Sequence, residues 1–437
     1  MRIYVGSLGC KLNQAEMEDL ATRLAGTGHR VVASPGEADL CVFNTCAVTH
    51  VAAQKSRQAL RRLHRDNPKA RLVVTGCYAE LSPGDLAGLP GIKLVAGNEQ
   101  KEGLAALLAG QGGLMAGQEA MPAPDGSSDL PPSRTRALVK IQDGCDNACT
   151  YCIIHVARGP QRSRSPEQVL AEVQARLAAG HREIVLTGVH IGAYGRDAAG
   201  PGLVGPSDLW ALVGHILAET SVERLRLSSI EPWDLPAQAL DLWHDRRLCR
   251  HLHLPLQSGH DATLARMGRH YTTADFAALV ARARAAIPGL AVTTDLIVGF
   301  PGETEEAHGR TLAFLEEMAF ARVHVFPYSL REGTPAAAMP GQVPAQVKAG
   351  RARAARAVAA RSSRAFRRQF LGQTVQVLWE SCRPEGQGLL WSGLTDNYLR
   401  VRAPGGEGLS NTLGRVRLLD LGPGGLRGEM EDQKGGG

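Results

Sequence analysis

Six short apolar runs recur between residues 135 and 345: ALVKIQ, EIVLTG, ERLRLS, HLHLPL, AVTTDLIVG and RVHVFPY. Segments of helical periodicity, such as SPEQVLAEVQARLAAG and TTADFAALVARARAAI, separate them. Strands alternating with helices pair in parallel, because the chain crosses back over the sheet before the next strand begins. Six such units in series predict a partial parallel (β/α)6 barrel, whose chemistry collects at the carboxyl ends of the strands.

The same alternation opens the chain. RIYVGSL, ADLCVFNT and RLVVTG read as strands, with helical segments near AEMEDLATRLAG and VAAQKSRQALRRLHR between them. The stretch GQGGLMAGQEAMPAPDGSSDLPPS, rich in Gly, Pro and Ser, reads as a linker. Near the end, QTVQVLWE, GLLWSG, YLRVRAP and RVRLLDL are short strands broken by Gly and Pro, the pattern of a small antiparallel β-barrel. The expected fold class is therefore α/β. An N-terminal parallel-sheet domain spans 1–115, a linker 116–134, a central domain with the partial barrel 135–365, and a small barrel 366–430. The closing EDQKGGG reads as a tail.

At 437 residues and 44% apolar, the chain has enough length and apolar content for two or three packed cores. No apolar run approaches the ~18 residues of a membrane span, and MRIYVGSLGC lacks the apolar core of a signal peptide. The expected location is the cytoplasm, with no membrane partner and with thiols kept reduced. Nine cysteines, an odd number, argue against a pure disulfide framework. Cys41, Cys249 and Cys382 stand alone and read as packed or surface thiols.

Positive charge is concentrated. Lys348, Arg351, Arg353, Arg356, Arg361, Arg364, Arg367 and Arg368 fall in one stretch with no acidic residue, more charge than the net +6 of the whole chain. Two readings stand: a polyanion partner, or a solvated Ala/Arg helix.

The stretch DGCDNACTYC places Cys145, Cys149 and Cys152 directly after the first barrel strand. The spacing C-x3-C-x2-C leaves two chemistries open. A Cys3His zinc site would recruit His155, three residues beyond Cys152. An iron–sulfur cube held by three thiolates would leave one iron open to chelate a substrate. A second set is less obvious. Cys10, Cys46 and Cys77 each follow a strand of the first domain, and all carboxyl ends of a parallel sheet lie on one edge. They are either three unrelated buried cysteines or a second three-thiol site.

The DGCDNACTYC loop resembles the signature of the radical S-adenosylmethionine (SAM) enzymes. Two such sites together resemble the methylthiotransferases. GSLGCKLNQAE, NTCAVT, VVTGCYAE, GCDNACTYCII, LTGVHIGAYG, SSIEPWDL, HLPLQSGHDATLARMGRHYT, TTDLIVGFPGET and VHVFPYSLREGTPA look like blocks of that family over nearly the whole chain. The last domain resembles its RNA-binding TRAM module. GCKLNQAE and TGVHIGAYG look most like the MtaB branch, which methylthiolates C2 of N(6)-threonylcarbamoyladenosine beside the tRNA anticodon. Two other branches act on isopentenyladenosine in tRNA and on a ribosomal protein side chain. His155 stands where the family usually has Pro, which leaves a fourth donor beside the cluster.

The resemblance implies two [4Fe-4S] clusters, on Cys10, Cys46 and Cys77 and on Cys145, Cys149 and Cys152, with SAM as cofactor. It implies the anticodon stem-loop of tRNA as partner, with an electron donor and a sulfur source besides. One SAM would methylate a sulfur at the first cluster and the other would give a radical at the second, the two facing one pocket. Acid–base chemistry cannot place sulfur at an unreactive C2–H, whereas a radical can attack there. Thr187 and Gly188 end the second barrel strand; Ser229 and Glu231 follow the third; Gln257 follows the fourth; Asp295 lies in the fifth. Each is a candidate to face SAM or the base, and each is equally readable as a structural strand-end residue. Asn13 either caps the helix after Cys10 or contacts the cluster region. Trp391 and Tyr398 either stack on RNA bases or pack the small barrel. The reading from a different class is a zinc-stabilised RNA-binding protein without catalysis.

Overall fold

The computed structural model describes residues 1–111, 135–197, 207–386 and 388–431. The expected linker 116–134 lies outside the described residues, as does the tail beyond 431. The chain opens with β1 (Arg2–Ser7), α1 (Lys11–Gly26), β2 (Arg30–Val32), β3 (Leu40–Thr45), α2 (His50–Asp66), β4 (Arg71–Gly76), α3 (Cys77–Leu81), α4 (Pro83–Ala87), β5 (Ile92–Val95) and α5 (Leu104–Gln111). It continues through β6 (Arg136–Lys140), β7 (Gln142–Asp143), α6 (Ile154–Arg158), β8 (Arg162–Ser163), α7 (Pro166–Ala178), β9 (Glu183–Thr187), α8 (Leu209–Glu219), β10 (Arg224–Leu227) and β11 (His251–His253). Then come α9 (Asp261–Arg266), α10 (Thr273–Ala286), β12 (Ala291–Val298), α11 (Glu305–Met318), β13 (Arg322–Pro327), α12 (Pro335–Ala338) and α13 (Ala345–Arg368). Strands β14 (Thr374–Glu385), β15 (Gly388–Thr395), β16 (Arg400–Gly405), β17 (Leu413–Gly422) and β18 (Gly425–Met430) end it.

Two compact units form. The first comprises the described residues up to 111 together with Gln142–Arg162 and Ser329–Ala337. Its sheet is parallel with order β2-β1-β3-β4-β5. Alternate residues of β3 and β4 point to opposite faces, and each face has its own helix. Val42 and Val73 pack with Met17, Leu20 and Leu24 of α1, while Phe43 and Val74 pack with Leu60 and Leu63 of α2. Helices α1 and α2 therefore cover opposite faces, and the strand order reverses between β1 and β3. That reversal opens a crevice at the carboxyl ends of those two strands, the usual ligand site of an open α/β sheet.

The second unit holds residues 135–141, 163–328 and 338–431. All six expected barrel strands form, as β6, β9, β10, β11, β12 and β13, in two parallel three-stranded sheets. Bridges from Leu225 to Leu248 and from Ser229 to His253 connect the two sheets. One face is apolar: Ile184, Leu186, Leu225, Leu227, Leu252, Val292 and Leu296 pack under helices α7, α8, α10 and α11. Glu183, Arg226, His251, His253, Thr293, Asp295 and His324 interact with one another on the polar face.

The terminal strands close a barrel in the order β14-β15-β16-β18-β17. Four pairings are antiparallel, and β16 with β18 is parallel, which the short Gly/Pro-broken strands did not foretell. Trp391 is 3% exposed and donates its Nε1–H to the Gly406 carbonyl at 2.7 Å. Tyr398 stacks on His251 at 4.6 Å, lies 4.4 Å from the Arg226 guanidinium, and accepts from Arg136 at 2.9 Å. Both aromatics are thus used in packing, not held out for RNA bases.

The basic stretch is one helix, α13, and its arginines divide between packing and solvent. Arg351 is buried against Glu303 at 2.8 Å, and Arg361 is paired with Glu316. Arg353, Arg356, Arg364 and Arg368 are exposed. Among the described residues no helix is long and apolar enough to cross a membrane.

Candidate functional site

All six candidate cysteines lie in the first unit. Cys10 follows β1, Cys46 follows β3 and Cys77 begins α3 after β4, so the sheet edge gathers them at the crevice. Their thiols sense one another: Cys10 and Cys77 each push the Cys46 pKa upward, and Cys77 does the same to Cys10. Burial is the larger cause, and it raises the Cys46 thiol to about 11. Cys10 is exposed as a residue, yet protein surrounds its sulfur, and its pKa is also raised chiefly by burial. Bound metal must therefore displace protons here.

Glycine makes the approach possible. Gly9 has φ +118°, and a Cβ there would sit 3.0 Å from the Cys46 sulfur. Gly76 has φ +98°, and its Cβ would fall 2.1 Å from Asn44 Oδ1. Ser56 braces the third strand end by accepting from Cys46 N at 3.1 Å and donating to Cys46 O at 2.9 Å. Asn13 resolves in favour of the site. The side chain makes no helix cap; it donates to Leu8 O at 2.9 Å, and its Oδ1 lies 3.7 Å from the Cys10 sulfur.

The second triad is built by a loop. Gly144, at φ +68°, has no room for a Cβ, which would fall 1.9 Å from Pro160 O. Cys145 N donates to Gly159 O at 3.2 Å and Cys152 N to Cys149 O at 3.0 Å, folding the loop on itself. Backbone amides also face two sulfurs: Asn147 N is 3.4 Å from Cys145 Sγ, and Ile154 N is 3.5 Å from Cys152 Sγ. Helix α6, which continues the loop, places Ala157 in the same apolar cluster as Cys77, Tyr78 and Ala79.

A zinc site and a cluster ask for different spacings. A tetrahedral zinc with ~2.3 Å bonds holds its sulfurs about 3.8 Å apart. Among the described residues, the one set of three candidate ligands with all donor atoms within 4.8 Å is His253, Asp295 and His324. Neither cysteine triad, with or without His155, forms such a set among the described residues. Three thiolates in a set suit an iron–sulfur cube with one iron left open.

Two family models match the chain: the radical SAM superfamily over residues 139–315, and the uncharacterized protein family UPF0004 over residues 2–97. A threonylcarbamoyladenosine tRNA methylthiotransferase MtaB of Bacillus subtilis is 37% identical over 95% of this chain and 93% of its own. The chain belongs to the radical SAM methylthiotransferases. Other members include a tRNA-2-methylthio-N(6)-dimethylallyladenosine synthase of Desulfitobacterium hafniense, 33% identical over 98% of this chain and 97% of that protein. The ribosomal protein uS12 methylthiotransferase RimO of Anaeromyxobacter is 37% identical over 89% of this chain and 84% of its own. Among solved structures, the radical SAM methyltransferase TsrM of Kitasatospora setae shares the fold. It has TM-score 0.53 and 17% identity, over 77% of each chain.

The barrel-strand candidates of this methylthiotransferase lie in the second unit and divide. Thr187 is buried, its carbonyl accepting from Ile141 N at 2.9 Å, with Gly188 next to it and half-buried. Ser229 is exposed and bridges to His253. Gln257 adopts φ +64° and exchanges backbone hydrogen bonds with Asp295 and Ile297. Asp295 is half-buried, with His253 Nε2 3.3 Å from its Oδ2. Glu231 forms an ion pair with Arg269, whose guanidinium lies 4.8 Å from the Trp233 ring.

Sequence reading missed His253 and His324, although alternation along HLH and VHV puts them on the face of Asp295. It also missed Glu16, and that Arg158 reaches the Cys10 side. The signal was available: in CKLNQAE, Asn13 and Glu16 are three apart on one helix face, in line with Cys10.

Proposed function

We propose that this enzyme converts N(6)-threonylcarbamoyladenosine, next to the anticodon of tRNA, to its 2-methylthio derivative, in the cytoplasm. The observation that carries the reading is full-length similarity to relatives named for that activity. Besides the Bacillus subtilis protein, one of Thermotoga maritima is 36% identical over 91% of this chain and 90% of its own. Each cysteine triad is proposed to hold a [4Fe-4S] cluster. When bound, these groups supply the electron that cleaves SAM to a carbon radical and a sulfur that accepts a methyl group.

The chain's own residues do the rest. Buried thiols Cys46 and Cys77 and the crowded Cys10 sulfur hold one cluster away from water. The folded loop holds the other, with amides facing the Cys145 and Cys152 sulfurs. Thr187, Gly188, Ser229, Gln257 and Asp295 are proposed to face SAM or the base. Glu231 is proposed only to position Arg269. The exposed arginines of α13 and the small barrel are proposed to meet tRNA backbone. Mass analysis of tRNA nucleosides from cells with and without this gene tests the reading. Loss of 2-methylthio-N(6)-threonylcarbamoyladenosine alone is expected. Loss of the methylthio isopentenyl nucleoside, or of the modification on ribosomal protein, would reassign the substrate.

A further inference from the structure

Arg158 ends α6, the helix that continues the Cys145/Cys149/Cys152 loop, yet its side chain reaches the other cysteine site. The side chain is 1% exposed. Nη2 donates to Asn13 Oδ1 at 2.7 Å, and Nη1 donates to Glu16 Oε1 and to Asp143 Oδ1, each at 2.8 Å. Two of the three partners lead to a cysteine. The Asn13 oxygen lies 3.7 Å from the Cys10 sulfur, and its Nδ2 reaches the carbonyl of Thr45, the neighbour of Cys46, at 3.4 Å. Asp143 Oδ1 accepts from Gly144 N at 2.8 Å, and Gly144 precedes Cys145. Gly159, next to Arg158, accepts from Cys145 N. A second path closes a ring: Glu16 pairs with Lys101 at 2.6 Å, Lys101 reaches Asn98 at 2.7 Å, and Asn98 donates to Ala157 O at 2.5 Å.

A buried ion network is weak evidence for stability, because desolvation consumes most of its Coulomb gain. Its placement here has another use. The planar fork serves Asn13, Glu16 and Asp143 at once, which a lysine ammonium cannot match.

We propose that Arg158 is a positioning residue that locks the Cys145/Cys149/Cys152 loop onto the Cys10/Cys46/Cys77 site and supplies the positive charge that sets the reduction potential of a cluster there. The proposal rests on the two-cluster reading above. A positive charge near a cluster favours its reduced, more negative form, so removing the charge lowers the potential.

The test uses the full chain with Cys145, Cys149 and Cys152 replaced by Ala, so that only the Cys10/Cys46/Cys77 cluster gives an EPR signal in a potentiometric titration. Arg158→Gln should shift the midpoint to a more negative value. Arg158→Lys, which keeps the charge and loses the fork, should leave it near the parent. In the intact enzyme Arg158→Lys should still cleave SAM but lose methylthiolation several-fold more than cleavage. Asp143→Asn, which removes a counter-charge, should shift the midpoint the other way, and it decides the matter if Arg158→Gln fails to load iron. Unmoved midpoints in Arg158→Gln or, where that variant is empty, in Asp143→Asn would overturn the role of Arg158. So would equal shifts in Arg158→Lys and Arg158→Gln. Wild-type protein with iron for one cluster only would overturn the two-cluster reading itself.

Discussion

The Cys10/Cys46/Cys77 site is assembled by a sheet, whereas the Cys145/Cys149/Cys152 site is assembled by a loop. The first gathers residues 36 and 31 positions apart along the chain, because three parallel strands end on one edge beside a reversal of strand order. The second needs no sheet to bring its thiols together; its local backbone bonds and a glycine without side-chain room do so. Sheet-built convergence depends on the whole α/β core, and loop-built convergence on a few turns. Both triads nevertheless belong to one compact unit, and Arg158 belongs to both.

That contrast breaks most sharply at the glycines. Gly144→Ala places a Cβ 1.9 Å from the Pro160 carbonyl in a backbone that favours glycine. The loop should refold and lose its iron, with SAM cleavage falling at least a hundredfold while the first site still binds iron. Gly76→Ala drives its Cβ to 2.1 Å from Asn44 Oδ1, inside the sheet-built site. Here the loss should spread to the core, read as a lowered melting temperature as well as lost iron. Equal melting temperatures in the two variants would contradict the contrast.

Glu16→Ala sharpens it next. The change leaves Arg158 and Lys101 buried with one fewer carboxylate between them. Removing one partner of a buried pair costs about 3–5 kcal/mol, on the order of 10 °C in melting temperature for a unit of this size. Differential scanning calorimetry of the two variants, Glu16→Ala and Glu16→Gln, would show whether the network carries that energy. A shift under about 2 °C would show that it does not.

The fold was legible where periodicity was strong and the site where geometry follows from topology. The barrel strands read from RVHVFPY and EIVLTG form, because apolar runs between amphipathic helices leave few other pairings. The link from strand end to shared edge placed Cys10, Cys46 and Cys77 together without any motif. What stayed hidden depends on long-range packing. Only tertiary structure sets Arg158 2.8 Å from Glu16, far away in sequence. Tyr398 reads equally as a stacking platform or as packing in a small barrel, and only the fold turns it onto His251. The parallel pairing of β16 with β18 is set by barrel closure, which a strand's own residues do not encode.

Smaller effects lie outside both triads. Arg353→Ala, Arg364→Ala and Arg368→Ala together should weaken tRNA binding and lower the slope of log affinity against log salt by about 0.7–0.9 for each phosphate the variant no longer neutralises. All three are exposed on α13, unlike Arg351 and the Glu316-paired Arg361. An unchanged slope would make that helix a solvated connector. Cys382→Ser, at an exposed position of β14, should change stability by no more than about 0.5 kcal/mol and leave the iron content at the wild-type value.

One anaerobic assay with a strong reductant tests the division of labour between the two triads, following 5′-deoxyadenosine and methylthiolated nucleoside in the same tube. Cys77→Ala leaves the sheet-built site two thiols, and the account predicts that SAM is still cleaved while no methylthiolated base appears. Cys149→Ala should abolish cleavage itself. Methylthiolation of tRNA by Cys77→Ala would contradict the account.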